Sequence, residues 1–231
     1  MTSLFMTATG TDIGKTYLTA ALIKALRARG RKVSALKPII SGFDPEQPEA
    51  SDSGALLAAL GRELTAHEIE QISPWRFRAP LSPDMAAQRE GITLELDDIV
   101  RFCQTAMGGQ TGITLIEGVG GVMVPLNHRE TVLDWMERLR LPVILVTGSY
   151  LGTLSHTLTA LDALARRGLS VRSIIVNQTP GSTVALADTV ETLGRFANDI
   201  SVCPFTHQPA SGPGLPDCQA LAQACGLTTF E

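Results

Sequence analysis

The chain has 231 residues, 44% of them hydrophobic and 18% charged, and a formal net charge of −4. That balance is ordinary for a globular protein able to bury a proper core. The slight acidity gives no electrostatic footprint for nucleic acid or an anionic membrane, so neither is expected as a partner.

In chain order, short apolar runs alternate with helical patterns. The runs are SLFMTA (3–8), KVSALKP (32–38), GITLIEG (112–118), PVILVTG (142–148), VRSIIVNQ (171–178) and ISVCPF (200–205). Each is brief and rich in β-branched or aliphatic residues, as strands buried on both faces of a parallel sheet are. Between them, Leu18, Ala21, Leu22, Ala25 and Leu26 form one stripe at helical spacing, and Leu154, Leu158, Leu161 and Leu164 form another. This alternation predicts a doubly wound α/β fold, with a mostly parallel sheet and helices on both faces. One domain spanning 1–231 is expected, since domains run to about 100–200 residues.

Polar or glycine-rich signatures follow several strands, at 37–42, 117–121, 147–152 and 177–181. Open parallel sheets bind ligands at the carboxyl ends of their strands, which directs attention to these segments. The stretch GFDPEQPEASDSG (42–54) reads as a surface loop. The four cysteines, Cys103, Cys203, Cys218 and Cys225, form no C-x-x-C pair and read as idle thiols of a reducing compartment. No apolar run approaches the roughly 20 residues of a membrane span, and the N-terminus carries no export signal. A cytoplasmic location is expected.

After the first strand comes TGTDIGKT (Thr9 to Thr16). Its end matches the phosphate-binding loop G-x-x-x-x-G-K-[ST]; its start does not, because Thr9 stands where the first glycine is usual. The context, a strand leading into an amphipathic helix, fits. Gly14 permits the tight turn, and the amides of residues 12–16 can then point at phosphate oxygens, helped by the helix dipole. Lys15 would reach the β- and γ-phosphates, and the hydroxyl of Thr16 would coordinate Mg²⁺. A nucleotide carrying β- and γ-phosphates, with Mg²⁺, is therefore expected there.

The unusual first half resembles the extended loop G-T-[DN]-T-[DEG]-V-G-K-T of the dethiobiotin synthetases. Ala8 replaces the family's first glycine, which is expected to restrict the loop's φ angles, and Gly10 replaces its usual acidic residue. LKPIISG (36–42), the Ser-Asp pair at 51–52, APLSPDMAAQREG (79–91), LIEGVGGVMVPL (115–126), LPVILVTGSYLGTLSHTLTAL (141–161) and VNQTP (176–180) resemble further segments of that family, in order, to about residue 206. The resemblance implies a homodimeric Mg²⁺-ATP-dependent cyclo-ligase. Such an enzyme forms the ureido ring of dethiobiotin from 7,8-diaminononanoate and CO₂, through a carbamate and a carbamic-phosphoric anhydride.

Individual residues acquire expected roles on this basis. Glu117 ends an apolar strand, where a buried carboxylate needs a cation; the resemblance implies Mg²⁺ held by Thr16, Asp52 and Glu117. Lys37 is a cation at neutral pH, suited to the oxyanions of phosphoryl transfer, and the resemblance puts it beside the carbamate, as a catalytic residue with Lys15 and Thr11. The hydroxyls of Thr11 and Ser41 would fix the substrate's nitrogens or carbamate. Asp12, Ile13, Gly14, Tyr17, Gly118, Val119 and Gly120 would line the nucleotide. Asn177, with its donor and acceptor, would read the adenine edge, beside Gln178 and the segment Pro204, Phe205 and Thr206. Gly152 and Ser155 open a helix whose free amides suit a carboxylate, and the family uses this region for the substrate's tail across a dimer interface.

A rival reading is a nucleotide switch of the chromosome-partitioning or division-site type. Its loops carry K-G-G-x-G-K-[ST], and the lysine that opens such a loop is missing here.

Overall fold

The computed structural model describes residues 2–109, 111–206, 221–223 and 225–227. Along the chain lie β1 (Thr2–Ala8), α1 (Lys15–Ala28), β2 (Val33–Leu36), β3 (Ile39–Ser41), α2 (Asp52–Leu60), α3 (Ala66–Ile72), β4 (Trp75–Phe77), α4 (Pro83–Arg89) and α5 (Leu96–Gly108). They continue with β5 (Ile113–Glu117), α6 (Val132–Leu139), β6 (Val143–Gly148), α7 (Thr153–Arg166), β7 (Val171–Asn177), α8 (Leu186–Phe196) and β8 (Ser201–Phe205).

Six strands form one parallel sheet in the order β2-β5-β1-β6-β7-β8. Every residue of β5 and β6 is buried, so helices cover the sheet on both faces and the fold is doubly wound α/β. The chain steps from β1 out to β2, returns to β5, and then crosses β1 to reach β6. β1 thus lies at the point where winding reverses, and its carboxyl end opens into the crevice such folds use for ligands. The register sets Met6 of β1 beside Glu117 of β5, and Ala8 beside Val146 of β6.

The predicted strands match the six sheet strands to within a few residues. A second, two-stranded parallel sheet of β3 and β4 was not predicted. Its members have three residues each, too few to display a period. Among the described cysteines none is bonded to another; Cys103 and Cys225 are buried, Cys203 is half-buried, and Cys218 lies outside the described residues.

The α1 stripe is buried as expected. On α7 the fully covered face differs from the leucine stripe: it consists of Thr153, Thr157, Ala160 and Leu164, whereas Leu154, Leu158 and Leu161 are half-buried. The threonines tolerate burial because their hydroxyls are bonded. Thr153 Oγ1 donates to the Gly148 carbonyl (2.7 Å), and Thr157 Oγ1 donates to the Thr153 carbonyl (2.7 Å). Thr147 Oγ1 lies 2.8 Å from both hydroxyls and 3.1 Å from that of Thr9. These hydroxyls knot the end of β6 to the first turn of α7 and to the loop after β1.

Candidate active site

The loop between β1 and α1 is shaped by backbone geometry. Ala8 is the last residue of β1 and fully buried, so it lies in the strand and places no restriction on the loop. The turn is made further on, where Asp12 and Gly14 take positive φ values of 56° and 87°. A Cβ on Gly14 would lie 2.3 Å from the Asn177 Nδ2, so glycine is required there twice over. On the other side, a Cβ on Gly121 would meet the backbone of Thr9 and Gly10 at 3.3 Å, which makes the loop after β5 a close-fitting second wall.

The start of α1 has no capping side chain and no acid in its first turn. By contrast α2 is capped by Ser51, α3 by Thr65 and α6 by Thr131, while α4, α5 and α8 carry aspartates in their first turns. Only α7, among the described helices, shares the open start of α1. Unclaimed N–H groups at a helix start form an anion site. Ser51 serves as the α2 cap through Gly54 N (3.1 Å), which leaves the neighbouring Asp52 carboxylate to face the loop.

Two lysines and two carboxylates converge in front of this helix. Lys37 Nζ lies 2.9 Å from Glu117 Oε1 and 3.0 Å from Asp52 Oδ2, and it donates to the Gly118 carbonyl at 2.8 Å. The Thr16 hydroxyl reaches Asp52 Oδ1 at 2.9 Å and Glu117 Oε1 at 2.6 Å. Lys15 Nζ donates to the Gly120 carbonyl at 3.1 Å. Glu117 is fully buried, and its Oε2 has no hydrogen-bond partner among the described residues. Val119 lies between the two glycines whose carbonyls accept from these lysines.

The electrostatics separate the two lysines. For Lys37, burial pulls the pKa down, but Glu117 and Asp52 outweigh it and hold the ammonium above the ordinary lysine range. For Lys15, burial and then the nearby Lys37 lower the pKa to about 8. Asp52, although desolvated, is held below the usual carboxylate range, chiefly by Lys37. A cleft lined by Thr11, Asp12, Gly14, Lys15, Thr16, Tyr17, Lys37 and Asp52 opens over these groups.

On the far side of the loop, Asn177 ends β7 opposite Phe205 of β8. Its Nδ2 donates to the Ile13 carbonyl at 2.9 Å, while its Oδ1 is buried with no hydrogen-bond partner among the described residues. The side chain expected to read a base with both ends therefore spends one donor on strapping the phosphate loop. Gln178 N donates to the Phe205 carbonyl (2.8 Å), and the Phe205 ring meets Tyr17 edge-on with centroids 5.9 Å apart. Pro204 and Thr206 flank it, exposed.

A second cavity of about 440 Å³ lies beside the first half of the loop, lined by Thr9, Gly10 and Thr11, by Val122, Met123 and Val124, and by His156, Ala160 and other residues of α7. Thr11 belongs to both clefts. Ser41 stands at the end of β3 with its hydroxyl buried and without a hydrogen-bond partner among the described residues. Gly152 (φ 98°) precedes α7, and Ser155 is exposed on its first turn. Sequence reasoning missed Met123, Val124 and His156 as wall residues, because an apolar lining has no motif of its own.

Comparison with known proteins gives the family and the fold. The family described as AAA domain matches residues 2–209. The ATP-dependent dethiobiotin synthetase BioD of Methylobacterium nodulans is 47% identical over 221 residues, covering 94% of this chain and 96% of its own. That of Caulobacter vibrioides is 49% identical over 209 residues, covering 90% of each. The chain belongs to the dethiobiotin synthetase family. Solved structures extend the fold relation beyond dethiobiotin synthetases. The MinD cell division protein of Aquifex aeolicus superposes with a TM-score of 0.54 at 13% identity, over 90% of this chain and 83% of its own. A ParA family ATPase from Chlorobium tepidum gives 0.52 at 16%, over 97% and 88%. At that identity they speak to the fold alone, while the dethiobiotin synthetase relatives share nearly half of all residues.

Proposed function

We propose that this protein is an ATP-dependent cyclo-ligase that closes the ureido ring of dethiobiotin from 7,8-diaminononanoate and CO₂. The observation that carries the proposal is the meeting of buried Lys15, Lys37 and Glu117 with the partly exposed Asp52 in front of an uncapped helix, in a chain of this family. A polyanion fits there: loop amides and Lys15 hold the β- and γ-phosphates, and the Lys37 ammonium neutralises charge that develops on the transferred group. One amine of the substrate, having taken up CO₂ and lost a proton, presents a carbamate oxygen to the γ-phosphorus, and ADP leaves. The second amine then attacks the carbamoyl carbon, and phosphate departs as the ring closes. That last step is intramolecular, so alignment supplies much of the rate, with effective molarities of roughly 10⁵–10⁸ M in well-oriented cases. No strong protein base is required.

The donor set fits a hard divalent cation. Two carboxylates share one hydroxyl, and the Glu117 Oε2 is buried with no hydrogen-bond partner among the described residues. Thr16, Asp52 and Glu117 would hold Mg²⁺, which would offset phosphate charge when bound. The apolar cavity beside Thr9–Thr11 suits the aliphatic chain of a diamine; its reacting end would lie at Thr11, which lines both clefts, with Ser41 as a further proposed contact. Its carboxylate would go to the open start of a partner's α7, around Gly152 and Ser155, in a homodimer. Leu151, 88% exposed at that turn, is a side chain a partner would cover. The reading includes one domain and a cytoplasmic location; among the described residues no helix is long and apolar enough to cross a membrane.

The test is an assay with diaminononanoate, bicarbonate, Mg²⁺ and ATP, following phosphate and the cyclic product together. One phosphate per ring is expected. ATP hydrolysis indifferent to the diamine, or stimulated by DNA or liposomes, would reject the proposal.

A further inference from the structure

The most buried cation of the site, Lys37, sits on the carboxylates proposed to hold the metal. The Lys37 ammonium has three N–H donors and three acceptors within 3.0 Å: Glu117 Oε1, Asp52 Oδ2 and the Gly118 carbonyl. It is saturated, and the residue is only 3% exposed. Two of these three acceptors belong to the carboxylates that, on the reading given under Proposed function, would hold Mg²⁺. We infer that Lys37 is a resident stand-in for the divalent cation, and that loading of the metal with its nucleotide displaces the ammonium toward the substrate side.

The physical reason is charge pairing. Asp52 and Glu117 both lie within hydrogen-bond reach of the single Thr16 hydroxyl, so two carboxylates are held close, one of them fully buried and the other partly open to solvent. Such a pair needs a cation at all times. Between turnovers Lys37 provides it, which holds the two carboxylates in place. Its backbone does not take part in the exchange, because Lys37 N is fixed to the Ile72 carbonyl at 2.9 Å and Pro38 follows. Only the flexible four-carbon stem has to move. The Glu117 Oε2, the one oxygen neither Lys37 nor Thr16 uses, is the first foothold for the incoming ion.

The inference makes an inverted prediction: removing this lysine tightens metal binding. The probe is Mn²⁺, titrated without nucleotide into the full chain and followed by electron paramagnetic resonance, with thermal melting to establish that each variant is folded. Lys37→Met should bind Mn²⁺ at least about tenfold more tightly than wild type, because a unit charge beside the seat is gone. Lys37→Arg, which keeps the charge, should stay weak. Folded Lys37→Met that binds Mn²⁺ no better than wild type would overturn the inference. A second arm uses the wild type, labelled with ¹⁵N-lysine. The buried Lys37 ammonium resonance should shift when Mg²⁺ and a non-hydrolysable ATP analogue are added together, and an unchanged resonance would also overturn it, even if Lys37→Met failed to fold. The metal reading is judged separately by Asp52→Asn, which should weaken Mn²⁺ binding in the presence of the analogue. If it does not, the seat lies elsewhere and the metal reading fails, whatever the diamine assay gives.

Discussion

Among the described helices two begin without a cap or a first-turn acid, α1 and α7, and on the proposed reading the contrast between them separates two kinds of anion recognition. In front of α1 stand two buried lysines and two acids, and Asn177 braces the loop from behind. In front of α7 there is exposed backbone, with Leu151 and Ser155 open to solvent. The α1 site is equipped for several charges that change during a reaction. The α7 start offers amides and a dipole, worth about 0.3–1 kcal/mol for one exposed anion, with the Tyr150–His156 hydrogen bond (2.9 Å) and the exposed Ser155 beside them. On the proposed reading it would orient the substrate's tail.

The largest effect that sharpens this contrast is expected at Lys37. Lys37→Ala should lower product formation by about 100-fold or more while ATP binding persists, measured by turnover alongside calorimetric titration of the nucleotide. Gly14→Ala comes next. It forces a side chain into a left-handed φ and into the Asn177 amide, so nucleotide affinity should fall by about tenfold or more, with the diamine KM less affected.

The pH response is intermediate. Lys15 loses its proton near pH 8 in the free protein, and bound phosphate favours the charged form, so ATP affinity should be flat below about pH 8. Above it, affinity should fall by up to about tenfold per unit, with uptake of a proton on binding, which calorimetry in buffers of different ionisation enthalpy detects. The stability contribution runs the other way. From about pH 8 to the unfolded value of 10.5 the unfolded chain holds the extra proton, so this group's contribution rises with pH. Smallest is Gly152→Ala, strained at φ 98° yet crowded by nothing nearer than 3.8 Å: the diamine KM should rise about fivefold and nucleotide affinity stay unchanged. Equal damage to both ligands from Gly14→Ala and Gly152→Ala would erase the distinction between the two helix starts.

The sheet was legible in the sequence because β5, β6 and β7 are buried on long uninterrupted runs. The phosphate loop was legible because its chemistry requires glycine, lysine and threonine at fixed offsets. The side-chain geometry was less so. That Asn177 straps Ile13 depends on the register of β7 against β6, which no local pattern encodes. That α7 buries threonines in preference to its leucines depends on hydroxyl partners on β6 and on the loop after β1. The Lys37 contacts were out of reach for the same reason. A motif tells which groups meet around a ligand, not how they pair with one another when it is gone.

The bond from Asn177 to Ile13 joins two residues 164 positions apart along the chain. The strand that carries the phosphate loop is also central, flanked by Ile113–Glu117 and Val143–Gly148, neither of which exists when β1 leaves the ribosome. The earliest-made part of the site is therefore the last to be finished. A nascent chain stalled before residue 177 carries the phosphate motif without the brace that Asn177 supplies.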